Sequence, residues 1–313
     1  MKLSEIKKLT QQLSSPFSSR VPEQLMKMGI DPSNFYQELE MDSPYVDTHQ
    51  DISYSNANIH FHSHTFYELM CCRNTCGAEY LINADRYKLQ KGDIIYVPPG
   101  VSHRPLLPDS LTQPYIRDVL WISDAFMEKI LPFFPEGTAE KFSRPGLFRS
   151  TGTHWEYITE LFRQGVCEAE NAKDGWEVIV CANAMSILSH LNRASLDDRT
   201  TPLQAEKPEL LDQILAYVEL HLSEKLTLSE IAHQFYVSES TITQTFRKKL
   251  GVSFYRSVTQ RRLISAKSLI EQGTAMEAVA EAVGFSDYSS FFRAFKQEYG
   301  ISPRQYRKMH LNI

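Results

Sequence analysis

The sequence lacks any hydrophobic run that approaches the roughly 18 apolar residues of a membrane-spanning helix. Its N-terminus mixes charged and polar side chains and lacks the apolar segment of a secretory signal peptide. Cysteine is also scarce, with five residues and no zinc-finger spacing, so we expect reduced and mostly packed thiols. These absences argue against a membrane-spanning or a disulfide-rich secreted protein, and we expect a cytoplasmic one. The 313 residues are enough for two domains.

The C-terminal third of the chain lacks the excess of acidic residues that the rest of the chain has. From residue 225 onward there are 13 Lys and Arg against 7 Asp and Glu, although the whole chain has a net charge of −5. A basic end on an acidic body indicates that this end meets a polyanion such as DNA.

Short runs of β-branched and aromatic residues, separated by turn residues, predict strands between residues 59 and 121. The runs are YELMCC, EYLI, DRYKL, DIIYVP and DVLWI. Such spacing is typical of a β-sandwich or small barrel, which we assign to residues 56–123. Residues 1–55 before it have the apolar spacing of a short helical arm.

Helical periodicity returns in residues 124–193, which contain two predicted helices that pair with each other. The second helix has an apolar stripe, which either packs against the barrel or forms a dimer seam. The stripe consists of Trp176, Val180, Ala184, Ile187, Leu188 and Leu191. We assign this region to dimerisation. Residues 194–208 are polar, contain two prolines and are typical of an interdomain linker.

The remaining residues, 209–313, are predicted to be helical and contain two similar segments, 226–251 and 274–300. Each has a short helix with a central alanine, a tight turn and a second helix that ends near glycine, which is the pattern of a helix-turn-helix. On the second helices, one face is predicted to be core because apolar residues recur there one turn apart. These core residues are Ile242, Phe246, Phe291 and Phe295.

The opposite face of each second helix carries groups suited to hydrogen bonding base edges or touching thymine methyls. These candidates are Ser240, Thr241, Thr243, Gln244, Tyr288, Ser289, Phe292 and Arg293. For Phe292, a base contact and a second packing contact both stay open. The candidates for phosphate contacts near the helix ends are Arg247, Lys248, Lys296 and Arg304. Residues 252–272 predict one connecting helix of roughly 30 Å, near the separation of neighbouring major-groove segments.

This arrangement resembles the AraC/XylS family of bacterial transcription regulators over about the last hundred residues. RRLISAKSLI is followed by VAEAVGFSDYSSFFRAFKQEYGISPRQYRK, with the motifs in family order. Phe254 departs from the pattern where many members carry proline, and Tyr236 occupies a turn that often holds glycine. The resemblance implies a domain with two helix-turn-helix units that binds promoter DNA and usually activates RNA polymerase.

In the N-terminal region, IHFHSHTFYELM places His60, His62 and His64 on one face of a strand. Together with the later GDIIYVPPGVSH, this resembles the cupin double motif. The resemblance implies a cupin-like β-barrel and puts His62, His64, Glu68 and His103 on its four metal-ligand positions.

Three interpretations of this cluster stay open. It is a divalent metal site suited to Zn, Ni or Fe, a metal-free pocket for a small polar effector such as a sugar, or a set of paired core groups. Arg73 and Tyr96, if they point inward, add an anion-binding group and a hydrogen-bonding ring. The effector-binding candidates are His62, His64, Glu68, Arg73, Tyr96 and His103.

The predicted fold is multidomain α+β, with an N-terminal cupin-like β-barrel flanked by helices and a C-terminal all-α domain with two helix-turn-helix motifs. We expect a homodimeric, effector-controlled transcription regulator that is not an enzyme and requires no cofactor. Two alternatives stay open: a metal-dependent cupin enzyme with an appended helical domain, and a DNA-binding protein whose barrel only dimerises.

Overall fold

The computed structural model describes residues 41–54, 61–108, 110–194 and 205–311. Most of the predicted N-terminal arm and most of the predicted linker lie outside these residues. The chain divides into two compact units. The first unit contains Ser43–Leu220 and Thr227–Phe254, and the second contains His221–Leu226 and Tyr255–Ile313.

The first unit is built on two antiparallel sheets. The described strands are β1 (Val46–Ser53), β2 (Tyr67–Cys72), β3 (Glu79–Ile82), β4 (Asp85–Lys88), β5 (Asp93–Val97), β6 (His103–Leu106), β7 (Tyr115–Ile122) and β8 (Gly146–Arg149). Five of them form a sheet in the order β1-β7-β2-β5-β8, and the others form a sheet in the order β4-β3-β6. The five predicted runs are confirmed as β2, β3, β4, β5 and β7, whereas the sequence does not predict β1, β6 and β8.

The described strands do not close into one barrel, so this part of the predicted fold is not confirmed. The ladders of β3, β4 and β6 join these strands only to one another, so no ladder between named strands connects the two sheets. An isolated antiparallel bridge pairs His62 with His103 at the edge of the smaller sheet. The coarser prediction, a β-rich N-terminal part followed by a helical C-terminal part, is confirmed.

Among the described residues, the N-terminal part also contains the α-helices α1 (Asp124–Ile130), α2 (Thr138–Phe142), α3 (Ile158–Asn171) and α4 (Trp176–Ala194). Their apolar side chains form one core with residues of the five-stranded sheet such as Leu69 and Leu120. The predicted stripe of α4 lies in this core, so its packing against the sheet is confirmed. All five cysteines are free thiols, and Cys71 and Cys72 are buried, as predicted.

The C-terminal part of the first unit contains α5 (Leu210–Leu220), α6 (Leu228–Gln234) and α7 (Glu239–Leu250). A capping box between Thr227 and Glu230 starts α6, and the Ser238 side chain accepts the backbone N–H of Thr241 in the first turn of α7. In the turn between α6 and α7, Tyr236 has a φ of 54°, which is the conformation that glycine adopts most easily. The turn therefore adopts the backbone conformation typical of glycine although it carries Tyr236.

The second unit contains most of α8 (Phe254–Glu271), together with α9 (Met276–Ala282), α10 (Tyr288–Tyr299) and α11 (Pro303–Leu311). Helix α8 confirms the predicted connecting helix. The apolar faces of α8, α9, α10 and α11 share one core, which includes Leu263, Val279, Phe291, Phe295 and Tyr306. No helix among the described residues is both long and apolar enough to span a membrane.

Gly284 lies in the turn between α9 and α10, where the packing leaves no room for a Cβ atom. A Cβ at Gly284 would lie 2.2 Å from the backbone oxygen of Leu222 and 2.9 Å from Nη2 of Arg262. We expect Gly284→Ala to lower the free energy of unfolding by about 1–3 kcal/mol more than Gly273→Ala does. Gly273 shares the positive φ, but a Cβ there would meet only Nη2 of Arg307 at 4.0 Å, which is an ordinary contact. Chemical denaturation of the full chain measures the difference, and equal losses in both variants would contradict the steric argument.

Candidate functional site

The second helix of each C-terminal pair is anchored by one buried face. In α7 this face consists of Ile242, Phe246 and Leu250, and in α10 it consists of Phe291, Phe295 and Tyr299. Small buried alanines on the first helices, Ala232 in α6 and Ala280 in α9, allow the close approach. The core face predicted from the i, i+4 spacing is confirmed in both helices.

The opposite faces are polar and accessible. Ser240, Thr241, Gln244, Ser289 and Arg293 are exposed, and Thr243, Tyr288 and Phe292 are half-buried. The structure thus places all eight predicted base-contacting residues on surfaces that solvent reaches.

Local hydrogen bonds order part of these faces. In α7, the hydroxyls of Ser240 and Thr241 lie 2.7 and 2.8 Å from Ser238 Oγ. In α10, the Asp287 side chain accepts the backbone N–H of Ser290 at 2.7 Å, and the hydrogen bonds from Ser290 hold the pKa of Asp287 below its usual value. Each helix therefore begins at a fixed cap, which orients its first turn.

Phe292 lies beside Tyr288 on the accessible side of α10. Their ring centroids are 6.2 Å apart, and the Phe292 side chain is half-buried. It belongs neither to the buried core of the second unit nor to the fully exposed surface. Phe292 thus keeps an accessible apolar surface suited to a base methyl.

The four predicted phosphate contacts are exposed: Arg247, Lys248, Lys296 and Arg304. Arg247 and Lys248 lie in the last turn of α7 together with Lys249, and Lys296 lies in the last turn of α10. Basic side chains in the last turn also interact favourably with the helix dipole. Their positive charge is available to phosphate groups at the ends of both helices.

The N-terminal candidate site is a buried polar cluster around Glu68 on β2. The indole Nε1 of Trp121 donates to Glu68 Oε1 at 2.8 Å, and Nε2 of His103 lies 3.0 Å from Glu68 Oε2. His64 Nε2 lies 3.4 Å from the same oxygen. Burial opposes ionisation of Glu68, but hydrogen bonds from His103 and His64 hold its pKa well below the usual value. The cluster is therefore built around a buried carboxylate.

Three residues of the cluster have the arrangement of potential metal ligands. One donor atom each from His62, Glu68 and His103 lies within 4.8 Å of the others. The fourth predicted ligand, His64, is engaged differently, because its Nδ1 lies 2.7 Å from the backbone oxygen of Phe66. Burial lowers the pKa of His64. His60 lies outside the described residues.

The structure does not bring Arg73 and Tyr96 to this cluster. Tyr96 pairs with Leu69 in the sheet, so it lies on the face opposite to Glu68, where its hydroxyl donates to the backbone oxygen of Phe142. Arg73 Nη1 donates to the backbone oxygen of Thr159 at 3.3 Å on the same helix-covered side. Neither side chain points to the Glu68 cluster.

Other residues on the cluster side were missed by sequence reasoning. Arg117 and Trp121 share one face of β7, because they lie four residues apart on a strand. The Arg117 guanidinium contacts Asp51 at 2.8 Å and lies 5.0 Å from the centre of the Tyr115 ring. Tyr80, from the smaller sheet, stacks near His103. The alternation of Tyr115, Arg117 and Trp121 is the signal that would have revealed this face.

Comparison with known proteins supports the C-terminal assignment. Residues 231–309 match a family model described as a helix-turn-helix domain. The HTH-type transcriptional activator RhaS of Salmonella typhimurium is 27% identical over 261 residues, which cover 79% of this chain and 87% of RhaS. RhaS of Salmonella dublin matches equally well, with 27% identity over the same shares.

Two solved structures were also compared. An apo ToxT variant from Vibrio cholerae has a TM-score of 0.40 and 13% identity, and the match covers 87% of this chain and 100% of ToxT. The C-terminal domain of AraT, a response regulator from Geobacillus stearothermophilus, has a TM-score of 0.29 and 32% identity. That match covers 30% of this chain and 79% of the AraT chain.

The matched domain and the curated relatives agree with the motifs of the C-terminal helices. The chain therefore contains a helix-turn-helix domain at residues 231–309 and is similar over most of its length to HTH-type transcriptional activators.

Proposed function

We propose that this regulator binds promoter DNA through α7 and α10, is an activator acting on RNA polymerase, and responds to a small molecule held by the Glu68 cluster. The observation that carries the proposal is the two-faced character of α7 and α10. Each buries an apolar face and leaves a polar face accessible, with exposed basic residues in its last turn. In this proposal the two helix pairs are helix-turn-helix units, and the two sheets form a cupin-type sensor in a homodimer.

Within the proposed interface, the residues divide by role. Arg293 and Gln244 have side chains that form paired hydrogen bonds with purine edges, which supports base reading. Lys248 and Arg247 lie at the helix end, which supports contact with the phosphate backbone and no reading of sequence. The two roles respond differently to substitution.

We expect Arg293→Ala to weaken binding to the target site by about 1–3 kcal/mol and to relax preference at one base pair, because a base contact is lost. Lys248→Ala should weaken binding to all sequences alike and reduce the salt dependence by about one released counterion. Fluorescence anisotropy with the target site and with single-base variants measures both effects.

Arg144→Ala is the control, because Arg144 is an exposed arginine just after α2 in the first unit and pairs with Glu140. It should leave DNA binding unchanged. A uniform loss over all sequences in Arg293→Ala would contradict base reading by Arg293.

The Glu68 cluster fits a small polar ligand or a divalent metal. It combines a buried carboxylate, imidazole groups and an indole donor, which are the groups that hydrogen-bond hydroxyl-rich molecules such as sugars. His62, Glu68 and His103 also fit a divalent transition metal, since two imidazoles and a carboxylate suit zinc, nickel or iron. Such a metal would supply a Lewis-acidic centre for an effector oxygen. Arg117 lies on the same side and would orient an anionic or hydroxyl group.

Zinc binding tests the metal form of this site. We expect wild-type protein to bind one Zn²⁺ in isothermal titration calorimetry and His62→Ala to lose about 10–100-fold in affinity, because a ligand is removed. His154→Ala, which removes an exposed imidazole elsewhere, should bind as wild type does.

If wild-type protein binds no zinc, nickel or iron, the metal-free form of the site is favoured. A thermal-shift screen with neutral sugars then identifies the ligand, and its loss in Glu68→Gln ties the ligand to the cluster.

A further inference from the structure

The outer face of the three-stranded sheet carries two buried arginines. Arg86 on β4 and Arg104 on β6 both pair with Leu81 of the central strand, so they share one face of this sheet. Their side chains are almost inaccessible, with 6% and 1% of their surface exposed. Buried guanidinium groups require partners that compensate the loss of water.

The partners of Arg86 join the sheet to the start of α5. Its Nε donates to Asp212 at 3.0 Å and its Nη2 lies 3.0 Å from Glu209, both at the N-terminal end of α5. Its Nη1 donates to Glu79 on the neighbouring strand at 2.9 Å. Asp212 is 2% exposed, so this is a buried charge pair between a strand of the β-rich part and a helix of the C-terminal part.

Arg104 joins the same face to the end of α7. Its Nη1 donates to the backbone oxygen of Leu250, the last residue of α7, at 3.2 Å. The guanidinium also lies 5.6 Å from the centre of the Phe61 ring. The carbonyl groups at a helix C-terminus carry partial negative charge, so α7 offsets part of the cost of burying Arg104, whose Nη2 has no hydrogen-bond partner among the described residues. Lys249 and Glu209, 3.6 Å apart, link the two helix ends.

We propose that this outer face, through Arg86 and Arg104, is a docking surface that holds α5 and α7. It thereby sets the orientation of α7, the first of the two helices proposed to read DNA (the first reading helix). The consequence for DNA rests on the proposed function of α7. Docking engages the carbonyl end of α7 and leaves Ser240 and Gln244 exposed. The contact therefore orients the helix without covering its polar face.

Strand β6 connects the docking surface to the Glu68 cluster. His103 and Arg104 are adjacent on β6 and point to opposite faces, His103 to Glu68 and Arg104 to α7. A ligand that moves His103 therefore shifts the strand that carries Arg104. Ligand binding at the Glu68 cluster thereby acts on α7 through β6.

The test compares Arg86→Met and Arg104→Met in the full chain with the control Arg149→Met. Arg149 of β8 also loses a carboxylate partner, Asp93, but lies in the other sheet. Hydrogen exchange without DNA should show about tenfold faster exchange in the first turn of α5 and the last turn of α7 in the two test variants only. Unchanged exchange there, or an equal rise in Arg149→Met, would overturn the docking surface.

Anisotropy measurements on the same proteins test the consequence. Affinity for the target site should change at least about fivefold in Arg104→Met relative to Arg149→Met, and Zn²⁺ should alter the affinity of wild type but not of Arg104→Met. An equal response to Zn²⁺ in both would overturn the β6 connection. Failure of wild type to bind DNA would count against the proposed function, while hydrogen exchange decides the docking surface independently. If wild type binds no Zn²⁺, the same comparison is made with the sugar identified by thermal shift.

Discussion

Burial of two large apolar side chains one turn apart fixes the rotation of α7 and of α10 about the helix axis. The direction of the polar face of each helix depends on this burial. Phe246 of α7 and Phe291 and Phe295 of α10 have no exposed surface. A helix held by such a stripe cannot rotate about its axis without exposing that stripe to water. The opposite face is thereby given a defined direction, and polar side chains on it become a surface that recognises a partner. In the proposed function, the protein core and the DNA interface are therefore opposite faces of the same helices.

The N-terminal part obeys a second constraint, which concerns buried charge. Glu68 is 5% exposed, and hydrogen bonds from His103 and His64 hold the pKa of its carboxyl well below the usual value. Arg86 and Arg104 are buried on one face of the smaller sheet. Carboxylates compensate Arg86, and a helix terminus offsets part of the cost of burying Arg104. Removing one member of such a group leaves an uncompensated charge, which is why buried polar groups impose one arrangement. The proposed ligand site and the proposed docking surface thus both depend on buried charge, and β6 contributes one residue to each, His103 and Arg104.

The helices could be predicted because their signals are local. Caps such as Thr227 and Ser238 and the spacing of Ile242 and Phe246 lie within a few residues of one another. Strands β1 and β6 could not, because β1 is a largely polar edge strand and HRPL contains a proline. The docking arginines were missed because their partners lie more than a hundred residues away.

The candidate site was predicted in part. Glu68 and the histidines follow a motif, but the direction of Tyr96 does not follow from sequence. Strands β2 and β5 are buried on both faces, so no alternation of polar and apolar residues reveals which side points to the cluster.

Footprinting tests the central claim, that α7 and α10 both enter one DNA duplex. The full-length protein is incubated with the region upstream of its own gene and with genomic fragments, and protection from hydroxyl radicals is mapped. The account predicts a protected stretch of roughly two helical turns, with contacts in neighbouring major-groove segments. Protection confined to a single groove segment, or none on any fragment, would contradict it.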